Sequence, residues 1–219
     1  MLVLETVQEE LTRIPPAIPP DGSGDGGAPP PPAAWQPAVS NARLGMLVFL
    51  AFEGMFFAGL LGAYLVFRLG AAAWPPPGEP YLPIGVTWVN TGILCFSSYT
   101  MRRALRTIRQ GDGVGLSRWL LVTALYGVTF LAVQGYEWVR LVRFGLTLSS
   151  GIYGSTFYVL IGCHGLHVLA AVLWLVAVLA LSRGLRFSAQ RHAAVQLSAM
   201  YWHFVVALWL VLFPAVYLL

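Results

Sequence analysis

The chain of 219 residues has no lysine, two cysteines, nine acidic residues and only 10% charged residues in all. Soluble domains carry about 25% charged residues, so a water-facing surface of ordinary polarity is excluded. With 58% apolar residues and a mean hydropathy of +0.71, the composition is that of a membrane protein. Cys95 and Cys163 form no CxxC or CxxCH pattern, which excludes a Cys-rich metal site and covalent haem attachment. Both thiols are expected to be free, acting as small apolar residues. No glycine pattern of a phosphate loop or dinucleotide fold is present.

What is present is long runs without charge. A helix needs about 20 apolar residues to cross a hydrocarbon core about 30 Å thick. Five stretches meet this, at about 44–67, 84–101, 119–139, 151–181 and 194–218. Runs so long and continuous are helical, because only helices and closed barrels satisfy their backbone in lipid and barrel strands alternate. The expected fold class is an all-α integral membrane protein, a bundle of five transmembrane helices over residues 41–219.

Residues 1–40 differ in character, holding nine of the fifteen prolines, among them Pro29–Pro32, together with the stretch DGSGDGG. Such a segment cannot bury a core and is expected to be a disordered or partly polyproline II tail. Its acidic start lacks the basic region of a signal peptide.

All thirteen basic residues are arginines. The loop after the second helix is expected to carry Arg102, Arg103, Arg106, Arg109 and Arg118, and the loop after the fourth Arg183, Arg186 and Arg191; the other side has Arg68, Arg140 and Arg143. The positive-inside rule then puts the N-terminus in the cytoplasm and the C-terminus outside. The sequence pI near 9.3 reflects this topology and contact with anionic headgroups, not a nucleic-acid partner.

Polar residues inside the apolar runs are costly and therefore informative. Glu53 lies near mid-depth of the first run, where an isolated carboxylate is expensive to ionise; proton relay and a hydrogen bond to a neighbouring helix both fit it. Gly54, Gly59 and Gly62 beside it would allow close helix approach. Glu137 has Arg140 at i+3, which points to an ion pair near the membrane interface.

The stretch VLIGCHGLHVLA places Cys163, His164 and His167 within little more than one turn. On a helix the two histidines are about 60° apart and Cys163 about 40° from His167, so one face could present all three. A membrane haem would need an axial partner on another helix, and His203 is the only candidate. The carboxylate-rich repeats of di-metal bundles are missing. The residues alone leave two readings, a metal or haem site and histidines hydrogen-bonded between helices.

Five segments in order resemble subunit III of the haem-copper terminal oxidases, the cytochrome c oxidase subunit III family, in its short five-helix bacterial form. They are LGMLVFLAFEGMFFAGLLGAYLVFR (44–68) with Trp74-Pro75-Pro76, VNTGILCFSS (89–98), QGYEW (134–138), GIYGSTFYVLIGCHGLHVLAAVLWL (151–175) and MYWHFVVALWLVLFPAVYLL (200–219). The resemblance implies a non-catalytic structural subunit of an aerobic oxidase complex in the bacterial inner membrane. It would pack on subunit I, hold phospholipid and support stable turnover and proton uptake. It implies no metal on this chain, with haem and copper in subunits I and II, and a small subunit IV as a further partner.

By the same resemblance Glu53 matches an intramembrane carboxylate associated with a lipid-filled cleft. Glu137, His164, His167 and His203 match a polar network, and His192 with Arg191 falls where lipid headgroups are in reach. Two positions depart from the pattern. The family commonly has Asp where this chain has Val206, and often has Glu where it has Gln196. Alternatives are an accessory subunit of a quinol oxidase or nitric oxide reductase, a b-type cytochrome using His203 with His164 or His167, and, more weakly, a transporter.

Overall fold

The computed structural model describes residues 40–183, apart from the Arg183 side chain, and residues 192–219. The Pro-rich stretch expected to be a tail, and Arg191, lie outside the described residues. Among the described residues five helices follow in order: α1 (Asn41–Gly70), α2 (Ile84–Arg109), α3 (Gly113–Arg143), α4 (Gly151–Arg183) and α5 (Ala193–Phe213). A π-helical turn, Pro214–Leu218, ends the chain. Its position has a local cause: Pro214 brings no N–H and its ring crowds the carbonyl one turn back, so the helix widens.

The expected all-helical membrane bundle is what folds. Helices α2, α3, α4 and α5 close a ring, each packing on two others, and α1 lies outside it against α4 and α5. Four helices, all but α2, are long and apolar enough to cross a membrane. The fifth, α2, is less apolar because its inward face carries Thr87, Asn90, Thr91, Ser97 and Thr100, all buried. All of these but Thr87, whose hydroxyl donates to the Pro83 carbonyl, are bonded across the bundle. The indole N–H groups of Trp209 and Trp202 on α5 donate to Thr91 Oγ1 at 2.9 Å and Ser97 Oγ at 3.1 Å. Asn90 Nδ2 donates to the Phe130 carbonyl at 3.1 Å, and Thr100 Oγ1 meets Thr123 Oγ1 at 2.8 Å. In lipid such bonds contribute about 0.6 kcal/mol each on average.

The arginines expected in a loop after the second helix are on helices instead. Helix α2 runs through Arg102, Arg103 and Arg106 to Arg109, α3 contains Arg118, and only Gln110–Asp112 separate the two. Arginine is a good helix former whose aliphatic stem can carry its charge to the interface, so a charge marks the membrane boundary without ending the helix. The turn is made by other residues. Gly111 adopts φ +78°, and the Asp112 carboxylate caps α3 by accepting from the Gly115 N–H at 2.7 Å. At the end of α3, Gly145 (φ +94°) donates to the Val142 carbonyl and Leu146 to that of Leu141, a Schellman ending closed by the buried pair Leu141 and Leu146.

Helix α1 uses a narrow seam. Met46, Leu50, Glu53, Phe57, Leu60 and Tyr64, spaced by alternating fours and threes, face the bundle. Only 11% of its most apolar window is buried, and Phe52, Met55 and Val66 are exposed. Gly54, Gly59 and Gly62 would allow close helix approach, but among the described residues none is made there: a Cβ at each would meet nothing within 4 Å. A close approach is made at Gly127 on α3, where a Cβ would lie 2.5 Å from Trp202 Cη2 and 2.7 Å from Val172 Cγ2.

Candidate functional site: the polar contacts of α4

Helix α4 places Cys163, His164 and His167 in mid-helix, and the structure sends the two histidines to different neighbours. His167 points to α1. Its Nε2 lies 2.8 Å from Glu53 Oε2, and its Nδ1 lies 2.6 Å from the Cys163 carbonyl oxygen. A carbonyl only accepts, so Nδ1 carries a proton and donates it. One further proton is then shared between Nε2 and the carboxylate. Whether it sits on imidazole or on Glu53, the pair has no net charge, which is the state a low-dielectric setting favours. Phe57 abuts the ring edge-on at 5.0 Å, and the two side chains remain about one-fifth exposed.

His164, one turn away, is fully buried. Its ring stacks on Trp209 at 5.0 Å with an interplanar angle of 25°, and Phe57 and Phe130 meet it edge-on. Neither ring nitrogen has a protein hydrogen-bond partner among the described residues. His203 is directed elsewhere, its Nδ1 2.6 Å from Ser98 Oγ on α2. The axial pair of the cytochrome reading is therefore not assembled: His167 engages α1, His203 engages α2, and His164 is enclosed by aromatic rings. The thiol of Cys163 takes no part, and its carbonyl is what His167 uses. Among the described residues no three His, Cys, Asp or Glu side chains are grouped around one point.

The remaining candidates lie apart from this pair. Glu137 is buried and accepts from Arg140 Nη1 at 3.1 and 3.4 Å, with Arg140 reaching in from a half-exposed position. Nearby Gln134 Nε2 donates to the Tyr217 hydroxyl at 3.2 Å. His192 stands at the start of α5, and its Nδ1 is buried without a partner among the described residues. Gln196, one of the two departures from the family pattern, keeps an acceptor's role: Arg43 Nε donates to its Oε1 at 2.9 Å, tying the starts of α1 and α5 together. Val206, the other, is buried beside α2.

Several contributing residues had no distinct signal in the sequence. Ser98, Ser97 and Thr91 are common residues of membrane helices, and only their position opposite His203, Trp202 and Trp209 gives them a role. The α2 hydroxyls recurring at helical spacing were the available clue.

The sequence that forms these helices has counterparts among known proteins. A family model described as cytochrome c oxidase subunit III matches residues 34–219. A "Cytochrome c oxidase subunit 3" of Synechocystis sp. is 43% identical over 176 residues, 80% of this chain and 74% of that protein. A "Probable cytochrome c oxidase subunit 3" of Nocardia farcinica is 39% identical over 176 residues, covering 80% and 86% respectively. A "Cytochrome c oxidase subunit 3" of Thermostichus vulcanus is 38% identical over 177 residues, again 80% and 86%. Likeness of this degree, running through the helices that carry Glu53, His167 and His203, makes the chain a member of the cytochrome c oxidase subunit III family.

Proposed function

We propose that the chain is the non-catalytic third subunit of a bacterial aerobic haem-copper oxidase. Dioxygen is reduced to water at haem and copper held by subunits I and II, and this chain packs on subunit I, retains phospholipid and sustains turnover with its proton uptake. The N-terminus is cytoplasmic and the C-terminus faces the periplasm or exterior, following the distribution of arginine.

The observation that carries this reading is the Glu53–His167 pair. It is a neutral contact between α1 and the ring. A pair of this kind positions a helix and whatever packs on it. Helix α1 in turn offers an apolar outer face, with Phe52 and Met55 exposed, to lipid or to a partner subunit.

Affinity purification in mild detergent with mass spectrometry of the partners tests the assignment. A haem-copper subunit I and a copper-bearing subunit II are expected to co-purify, and recovery of the chain alone would overturn it. The role of Glu53 is tested in the complex: Glu53→Ala should leave assembly and spectra intact and shorten the time over which turnover persists. Inactivation kinetics identical to the unmodified complex would refute it.

A further inference from the structure

Helices α2 and α5 leave a groove between them of about 230 Å³, lined by Cys95, Ser98, Tyr99, Arg102, Val206 and Leu210. The helices are antiparallel, so Cys95 and Leu210 lie toward mid-membrane and Arg102 toward the α2–α3 turn, about 27 Å along α2 from Ile84. The groove is apolar at depth and basic at its mouth. Tyr99 and Leu210, each about half exposed, border it on the outside, so it opens to the membrane.

Arg102 is the arginine that lines this groove, and like Arg106, Arg109 and Arg118 it has no ion-pair partner among the described residues. Arg103 covers the Trp119 ring at 5.4 Å, Arg43 binds Gln196, Arg68 binds the Tyr64 hydroxyl and Arg140 binds Glu137. Among the described residues Arg102 has no carboxylate within 4 Å and no hydrogen-bond partner. Val206 lines the groove with it, at the position where the family pattern commonly has an aspartate. The chain thus has an apolar wall where an internal counter-charge could have stood.

We propose that this groove seats an anionic phospholipid of the adjacent leaflet, with its phosphate on the Arg102 guanidinium and an acyl segment along Cys95, Val206 and Leu210. A guanidinium matches a phosphate with paired N–H donors. The same end of the hairpin presents Arg106, Arg109 and Arg118 against one acid, Asp112, whose carboxylate caps the Gly115 N–H. A basic helix end of this kind concentrates anionic lipid beside it. The inference does not depend on the identity of the oxidase partners.

The test uses the complex extracted in mild detergent, delipidated, and mixed with phosphatidylglycerol or phosphatidylcholine before native mass spectrometry. The unmodified protein and Arg109→Gln are expected to retain about one phosphatidylglycerol per chain that Arg102→Gln and Val206→Asp lose, with phosphatidylcholine not retained. Val206→Asp supplies the missing counter-charge internally, so it separates loss of the lipid from loss of the fold. Equal phosphatidylglycerol retention in all four proteins overturns the proposal. So does loss of a partner subunit in Arg102→Gln with lipid retention unchanged, which would assign Arg102 to a protein carboxylate.

Discussion

Glu53 and His167 are 114 residues apart in sequence and 2.8 Å apart in space, and this contact joins α1 to the ring. Removing one partner leaves a polar group in an apolar setting, at a cost of about 1–3 kcal/mol. Glu53→Ala and His167→Phe should each lower the melting temperature in detergent, and Glu53→Gln, which can still donate to Nε2, should lower it less. The double variant should cost less than the sum of the two single ones, by about 0.6–1.7 kcal/mol. Additive losses would mean that the pair contributes no coupling.

Gly127 is where a methyl group would strike side chains of two neighbouring helices, α4 and α5. Gly127→Ala would push Trp202 and Val172 out of place, with an expected loss of about 1–3 kcal/mol, read as reduced yield of folded protein and a lower melting temperature. Gly59→Ala on the outer face of α1 meets nothing within 4 Å and should leave the isolated chain's melting unchanged. If both melted alike, the tight contact at Gly127 would be wrong.

The tryptophans of α5 offer a graded comparison. Trp202→Phe and Trp209→Phe keep an aromatic ring but remove the donors to Ser97 and Thr91. Each should cost about 0.5–2 kcal/mol, because Ser97 and Thr91 lose an incoming donor but keep their own bonds to the Leu94 and Thr87 carbonyls. Trp209→Phe should also change the surroundings of His164, which stacks on that indole, and the His164 ring resonances in a labelled sample would report it.

Orientation can be read with single cysteines in a background lacking Cys95 and Cys163. Gln110→Cys lies in the α2–α3 turn and Leu148→Cys between α3 and α4. An impermeant maleimide added to intact cells should label position 148 and spare position 110. The opposite pattern would invert the topology drawn from the arginines.

Gln196→Glu would turn the Arg43 hydrogen bond into an ion pair near a helix end. The expected gain is small, about 0–1 kcal/mol, and should shrink as salt is raised. A gain unaffected by salt would place the pair in drier surroundings than its partial burial suggests.

The five helices were legible because lipid imposes one strong rule, that a spanning segment stays free of charge for about 20 residues. Their ends were not, because Arg102 to Arg109 read as a loop by charge but form helix by propensity, and the turn is made by Gly111 and Asp112. Glu53 stood out as costly, yet its partner could not be chosen among three histidines by spacing alone. Direction across the bundle depends on how α1 packs against α4, a long-range property. The glycines of α1 were uninformative for a related reason: a small residue permits a close approach without saying where one occurs, and the approach used is at Gly127.

The neutrality of the Glu53–His167 pair also fixes how it responds to the membrane potential. Carrying one elementary charge across the whole membrane is worth about 2.3 kcal/mol at 100 mV. The shared proton can shift by no more than about 1 Å of a core about 30 Å thick, so the field does less than about 0.1 kcal/mol of work on it. That is well below thermal energy. The tie between α1 and the ring is therefore electrically silent, equally firm in an energised membrane and a discharged one.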